Sequence, residues 1–128
     1  MNRARRSLPP YRFNQELASL ARLHSRNMVQ YHFFSHTDHE GLDPGARKQR
    51  SFPGLFGGIG ENIAYNAGAT EEEAARNLMR SWMDSPGHRA NILRDSFTHV
   101  GVGVVERGEQ VYATQAFSEL VEIGRAHV

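Results

Sequence analysis

The segment Trp82-Met83-Asp84-Ser85-Pro86-Gly87-His88-Arg89-Ala90-Asn91-Ile92-Leu93 sets the reading of this chain. Upstream of it, Ala74, Ala75, Leu78, Met79 and Trp82 recur at three- and four-residue steps, the spacing of one apolar helix face. Thr70 with Glu73 makes a capping-box pattern at the start of that face, and Glu71 to Glu73 suit the positive end of a helix dipole. Asp84-Ser85-Pro86-Gly87 ends it, and a brief helix around Arg89 to Leu93 is expected to follow. Trp82 is expected in the core beside Leu78 and Met79. Taken alone, His88 reads as a cap on the short helix, and Asn91 as a side-chain amide that ties backbone together.

Working outward, His99 to Glu106 alternates, with Val100, Val102 and Val104 on one face and Gly101 and Gly103 on the other. Glycine on one strand face permits close approach by a helix or another backbone. Arg107 to Glu109 reads as a turn and Val111 to Leu120 as a returning strand. Towards the start, Asn14 is a plausible N-cap for a helix carrying Leu17, Leu20, Ala21, His24, Met28 and Tyr31. Pro9 and Pro10 precede that helix, which fades near Tyr31 to Phe34. Ser35 to Gly60 is rich in glycine and proline and reads as a long connection, functional or mobile, with Asp43-Pro44 able to start a short helix. Helix, loop, helix and paired strands together imply an α/β (α+β) sheet covered by helices on both sides.

The 128 residues fit one domain, assigned to 1–121, and no cysteine is present. Disulfides, thiolate metal sites and cysteine nucleophiles are therefore excluded. With 15 basic and 14 acidic residues the net charge is +1, so no global field attracts nucleic acid. The local run Arg3, Arg5, Arg6 and Arg12 lacks interleaved aromatics and reads as a solvated terminus. No stretch approaches a membrane span, and the polar, basic residues after Met1 do not read as an export signal. Residues 122–128, Glu-Ile-Gly-Arg-Ala-His-Val, resemble translated sequencing-adapter read-through; they are expected to be a non-native tail, and His127 is not a site residue.

His-Glu-x-x-His, Gly-x-Ser-x-Gly and phosphate-cradling loops are all missing, and Gly101-x-Gly103 lies within a strand pattern. His32, His36 and His39 are close in sequence and imidazole suits zinc, yet such a cluster beside a helix end equally reads as surface decoration or a cap. Glu61, in what looks like a Gly60-Glu61-Asn62 turn, either holds the loop or faces a cleft.

The ordered blocks Phe34-Ser35-His36-Thr37, Gly60-Glu61-Asn62-Ile63-Ala64, Trp82 to Leu93 and His99-Val100-Gly101-Val102-Gly103-Val104 together resemble the bacterial branch of the CAP superfamily. This is the SCP-like, pathogenesis-related-1-like family, and Thr114-Gln115-Ala116-Phe117 is similar to its last core strand. The resemblance runs from about Asn2 to Leu120. It implies a three-layer α-β-α sandwich and an open cleft lined by two histidines and two acids, where some members bind zinc or another divalent metal. Position by position, His36 is the first histidine, Glu61 the first acid and His88 the second histidine. The second acid falls on Ser85, as it often does in bacterial relatives; Asp84 beside it would need a different backbone direction.

Two functions follow from the resemblance. One is an extracellular or cell-envelope binding module, expected to be monomeric, that holds a small apolar ligand, lipid, peptide or envelope component. The alternative is a metal-dependent hydrolase, a peptidase, with His36 and His88 on the metal and Glu61 as general base. The missing nucleophile motif and the missing second acid favour the module.

Overall fold

The computed structural model describes residues 11–55, 58–67, 71–94, 96–108 and 110–119. A short strand β1 (Arg12–Phe13) leads into α1 (Gln15–Gln30), followed by α2 (Pro44–Ser51) and β2 (Ile59–Ala67). Then come α3 (Glu71–Asp84), α4 (Pro86–Leu93), β3 (His99–Arg107) and β4 (Gln110–Ser118). The strands form one mixed sheet in the order β1-β3-β4-β2, parallel only between β1 and β3. β2 is therefore an edge strand, paired along its length with β4 from Ile59↔Ser118 to Ala67↔Gln110.

Asn14 caps α1, its side-chain oxygen accepting from Leu17 N at 2.9 Å. The helix ends where His32 adopts a left-handed backbone (φ 56°), the usual way to stop a helix, here without glycine. Asp43 caps α2, with Pro44 in its first turn. α4 begins at Pro86, earlier than the pattern at Arg89 implied, because proline suits a first helical turn.

Alternation along the strands sorts side chains into two cores. On one face, Leu17, Leu20 and Ala21 of α1 meet Ala116 and Leu55. On the other, Leu78 and Trp82 of α3 and Ile92 of α4 meet Val100, Val111, Ala113 and Phe117. The result is the three-layer α-β-α arrangement. A Cβ on Gly101 would strike the backbone of Leu17 and Ala18, and one on Gly103 that of Ala21 and Arg22. The two glycines bring α1 down onto β3, where Ser25 Oγ reaches the Gly103 carbonyl (2.9 Å) and Thr114 Oγ1 (2.7 Å).

Several expectations need correction. Residues 59–67 form a nine-residue strand, so Glu61 sits in a strand and not a turn. Trp82 and Leu78 are buried as read, but Met79 is 40% exposed, one position off the seam they share. Val102 points to the predicted face yet is 41% exposed, because α3 packs chiefly on β2 and α4 and leaves the outer part of β3 uncovered. The strand read to Leu120 ends at Ser118. Thr70 with its capping box, the side chains of Ala74 and Ala75, Pro9, Pro10, the arginines at 3, 5 and 6, and residues 122–128 lie outside what the structure describes.

Candidate functional site

The site is built from one dipeptide on an edge strand. In β2, Glu61 and Asn62 are neighbours, so their side chains leave opposite faces of the sheet. Glu61 goes towards α1 and α2, where its carboxylate accepts from His36 Nδ1 at 2.9 Å and from Arg47 Nη2 at 2.9 and 3.1 Å. Asn62 goes towards α4, where its Nδ2 donates to the His88 carbonyl (3.1 Å) and to Gln115 Oε1 (3.1 Å). Its Oδ1 accepts from Asn91 Nδ2 at 2.9 Å. One residue pins the loop carrying His36, the next the helix carrying His88.

Because β2 is an edge, the two layers meet beyond it. His36 and His88 both line an open cleft of about 610 Å³, with Phe34, Tyr65, Ser81 and Ser85. The edge is covered by side chains: Trp82 Nε1 donates to the Ile63 carbonyl (3.0 Å) and Asn91 Nδ2 to the Glu61 carbonyl (3.2 Å).

Each cleft histidine is held through Nδ1. Glu61 accepts the His36 Nδ1 proton, which leaves the lone pair on Nε2. His88 Nδ1 lies 2.8 Å from Ser85 Oγ; with the proton on Nδ1 its Nε2 is likewise free. Ser85 is the N-cap of α4, yet its hydroxyl makes no cap bond to the backbone and turns to His88 instead. Burial, then the neighbouring His36, lowers the His88 pKa, so its neutral form dominates near neutral pH.

Glu61 differs from the expected cleft wall. Its side chain is 3% exposed, behind His36, which is 52% exposed. Two further residues were not read as site residues. Arg47, in α2, also donates to the His36 carbonyl at 2.7 Å. His24, read as part of an apolar helix stripe, is fully buried; its Nε2 donates to the Ser35 carbonyl (2.9 Å) and lies 3.6 Å from Glu61. Burial is the first cause of its lowered pKa, opposed by Glu61 and assisted by Arg47. Only the spacing of His24 on the α1 stripe could have flagged it as buried. Nothing in Arg47-Lys48-Gln49-Arg50 marks Arg47 as the cation that reaches Glu61, and Lys48 beside it is equally buried, donating to the Leu55 carbonyl.

The three clustered histidines do not converge. His39 stacks on Tyr31 with ring centroids 3.8 Å apart, and His32 lines a separate hollow. Among the described residues no group of three histidine or acidic side chains is poised to hold a metal ion. Glu61 is occupied by Arg47 and His36. The donors left at the cleft are therefore two imidazole nitrogens, one fewer than the three protein ligands of an open zinc site.

The family model of the cysteine-rich secretory protein (CAP) family matches residues 2–117. The uncharacterized protein YkwD of Bacillus subtilis is 36% identical over 106 residues, 83% of this chain and 39% of that protein. A crystal structure of an extracellular protein containing an SCP domain from Bacillus anthracis is 36% identical, with a TM-score of 0.75, over 91% of this chain and 36% of that one. The chain thus spans well under half the length of these relatives. A crystal structure of NaASP2 with Zn2+ shares the fold at 16% identity and a TM-score of 0.63, over 86% of this chain and 60% of that one. With the three-layer fold and the family model in agreement over nearly the whole chain, this cysteine-free protein belongs to the CAP, or cysteine-rich secretory protein, family.

Proposed function

We propose that this domain is a binding module of the extracellular or cell-envelope type, whose cleft holds a small ligand around a two-imidazole site for Zn2+ or another divalent ion. The observation that carries the reading is that His36 and His88, brought from opposite layers of the fold, line one cleft, each with its Nδ1 hydrogen-bonded, to Glu61 and Ser85 respectively. Carboxylate or hydroxyl support behind an imidazole ligand orients the ring and sets its tautomer, as metal-binding histidines require. The Bacillus anthracis relative is an extracellular protein, and no helix among the described residues is long and apolar enough to cross a membrane.

The hydrolase reading gains less support. A general base must reach a water in the cleft, whereas the Glu61 carboxylate is buried and already accepts from Arg47 and His36. Ser85 adds no second carboxylate. With two nitrogens and no acid on the metal, affinity should be modest.

Calorimetric titration with Zn2+ tests the module. Binding should be seen for the protein, fall for His36→Ala and His88→Ala, and rise for Ser85→Glu. It should weaken as pH drops through the histidine range near about 6.5, because the ligands must be unprotonated. Unchanged zinc affinity after His36→Ala would overturn the reading.

A further inference from the structure

We propose that the cleft, with the aromatic run beside it, takes a neutral oligosaccharide; the inference rests on reading the cleft as a binding site. Among the described residues the wall carries no Asp, Glu, Lys or Arg. Glu61, behind the lining residue His36, is buried and paired with Arg47. In the metal-free protein an ionic ligand would meet no charged side chain among these residues.

Two other occupants fit the wall poorly. A lipid chain would cover Nε2 of His36 and His88 and the Ser81 hydroxyl without offering hydrogen bonds in exchange. An extended peptide would recognise the cleft by adding a strand to the β2 edge. The carbonyls of Glu61 and Ile63 on that edge are already taken by Asn91 and Trp82, so the ladder cannot be continued through them.

What remains is a ligand rich in hydroxyl or amide groups that also has apolar faces, which describes a pyranose ring. Its hydroxyls both donate and accept, matching serine and imidazole. Its C–H faces match the electron-rich faces of aromatic rings. Such rings are present. Phe34 and Tyr65 line the cleft and are 46% and 53% exposed. Phe34 meets the Tyr65 ring edge to face with centroids 5.0 Å apart. Tyr65 stands opposite Tyr112 in the β2–β4 register, the two rings stacked at 5.6 Å. Beyond Tyr112 lies a second hollow of about 250 Å³, with His32, Gln110 and the cationic Arg107 in its wall, the last able to donate to sugar hydroxyls. The aromatic run thus links the cleft, whose wall mixes apolar and aromatic side chains with serines and imidazoles, to a second hollow, a layout that suits several linked sugars better than a single one.

The test is titration of the metal-free protein with the trimer of β-1,4-linked N-acetylglucosamine, followed by amide chemical shifts and calorimetry. Shifts are expected at Phe34, Tyr65, Tyr112 and the Ser81–His88 segment. Tyr65→Ala should weaken binding by about tenfold, while Tyr65→Phe, which keeps the ring, should stay within about threefold. Circular dichroism confirms that each variant is folded. No shifts at millimolar trisaccharide, equal affinity for Tyr65→Ala, or tighter binding of laurate at the same residues would each overturn the assignment. A zinc titration of the unsubstituted protein separates the two readings. Zinc binding without saccharide binding overturns the sugar class alone; the loss of both overturns the cleft as a binding site as well.

Discussion

At the scale of single residues, the chemistry turns on which polar groups are buried and what they touch. Arg47, Glu61 and His24 form a buried set behind the exposed His36. His24 donates through Nε2, and among the described residues its buried Nδ1 has no partner. Protonating it would place a further charge beside the Arg47 guanidinium in a site with little solvent, and burial already lowers its pKa. A histidine whose folded pKa lies below its unfolded value stabilises the fold at pH above about 6.5, and that stability is lost as pH falls towards the folded value. Chemical denaturation at several pH values should therefore show stability declining between about pH 6.5 and 5, before most carboxylates titrate. His24→Gln keeps an amide donor but cannot titrate, and should flatten the slope; the residual slope belongs to His88, lowered in the same direction. A wild-type curve that stays level over this window would refute the assignment. None of this set except Glu61 was legible as site chemistry. The sequence shows a histidine on an apolar stripe and an arginine among cations, and only the third dimension brings them together.

At the scale of elements, the legible parts were those with a strong local code. The Asn14 cap, the α1 stripe as far as Met28 and the Gly101/Gly103 face appear in the structure as read, whereas Tyr31, read as part of the stripe, is the exposed C-cap of the helix. β2 was hidden because it breaks strand rules. Both of its faces are covered near the middle, and the residues there are Glu61 and Asn62, both buried and hydrogen-bonded. A strand whose interior positions carry a carboxylate and an amide looks like a turn until its partners are known. The glycine face makes a firm demand. Gly103→Ala would drive a methyl into the α1 backbone at Ala21 and Arg22, so relief requires moving the helix and not merely a side chain. Overpacking of well-packed sites costs about 1–3 kcal/mol and occasionally more, and this position belongs at the upper end. The same shift would stretch the Ser25 bond to the Gly103 carbonyl. Urea denaturation should show a lowered midpoint, and a variant as stable as the wild type would mean that α1 is not seated where the two glycines place it.

At the scale of the whole molecule, the question is how much of the chain the fold requires. The two cores draw on residues from Tyr11 to Phe117 among those described, and the family model matches residues 2–117. The sheet closes just beyond, where Glu119 N donates to the Gly58 carbonyl at 3.0 Å and Arg94 Nη2 bonds the Glu119 carboxylate at 3.1 Å. These contacts fasten the β2–β4 edge at the end from which the Glu61–Asn62 dipeptide is presented, so the sheet's closure and the site share one boundary. Residues 122–128 follow that boundary and carry a sequence unlike a strand or a helix cap. Ending the chain at Val121 should accordingly leave stability within about 0.5 kcal/mol of the full sequence, the range of surface changes that remove no named interaction. Differential scanning calorimetry of the two forms decides it. A fall in Tm of more than about 3 °C would show that the last seven residues pack against the domain, and that the boundary at Glu119 is set too early.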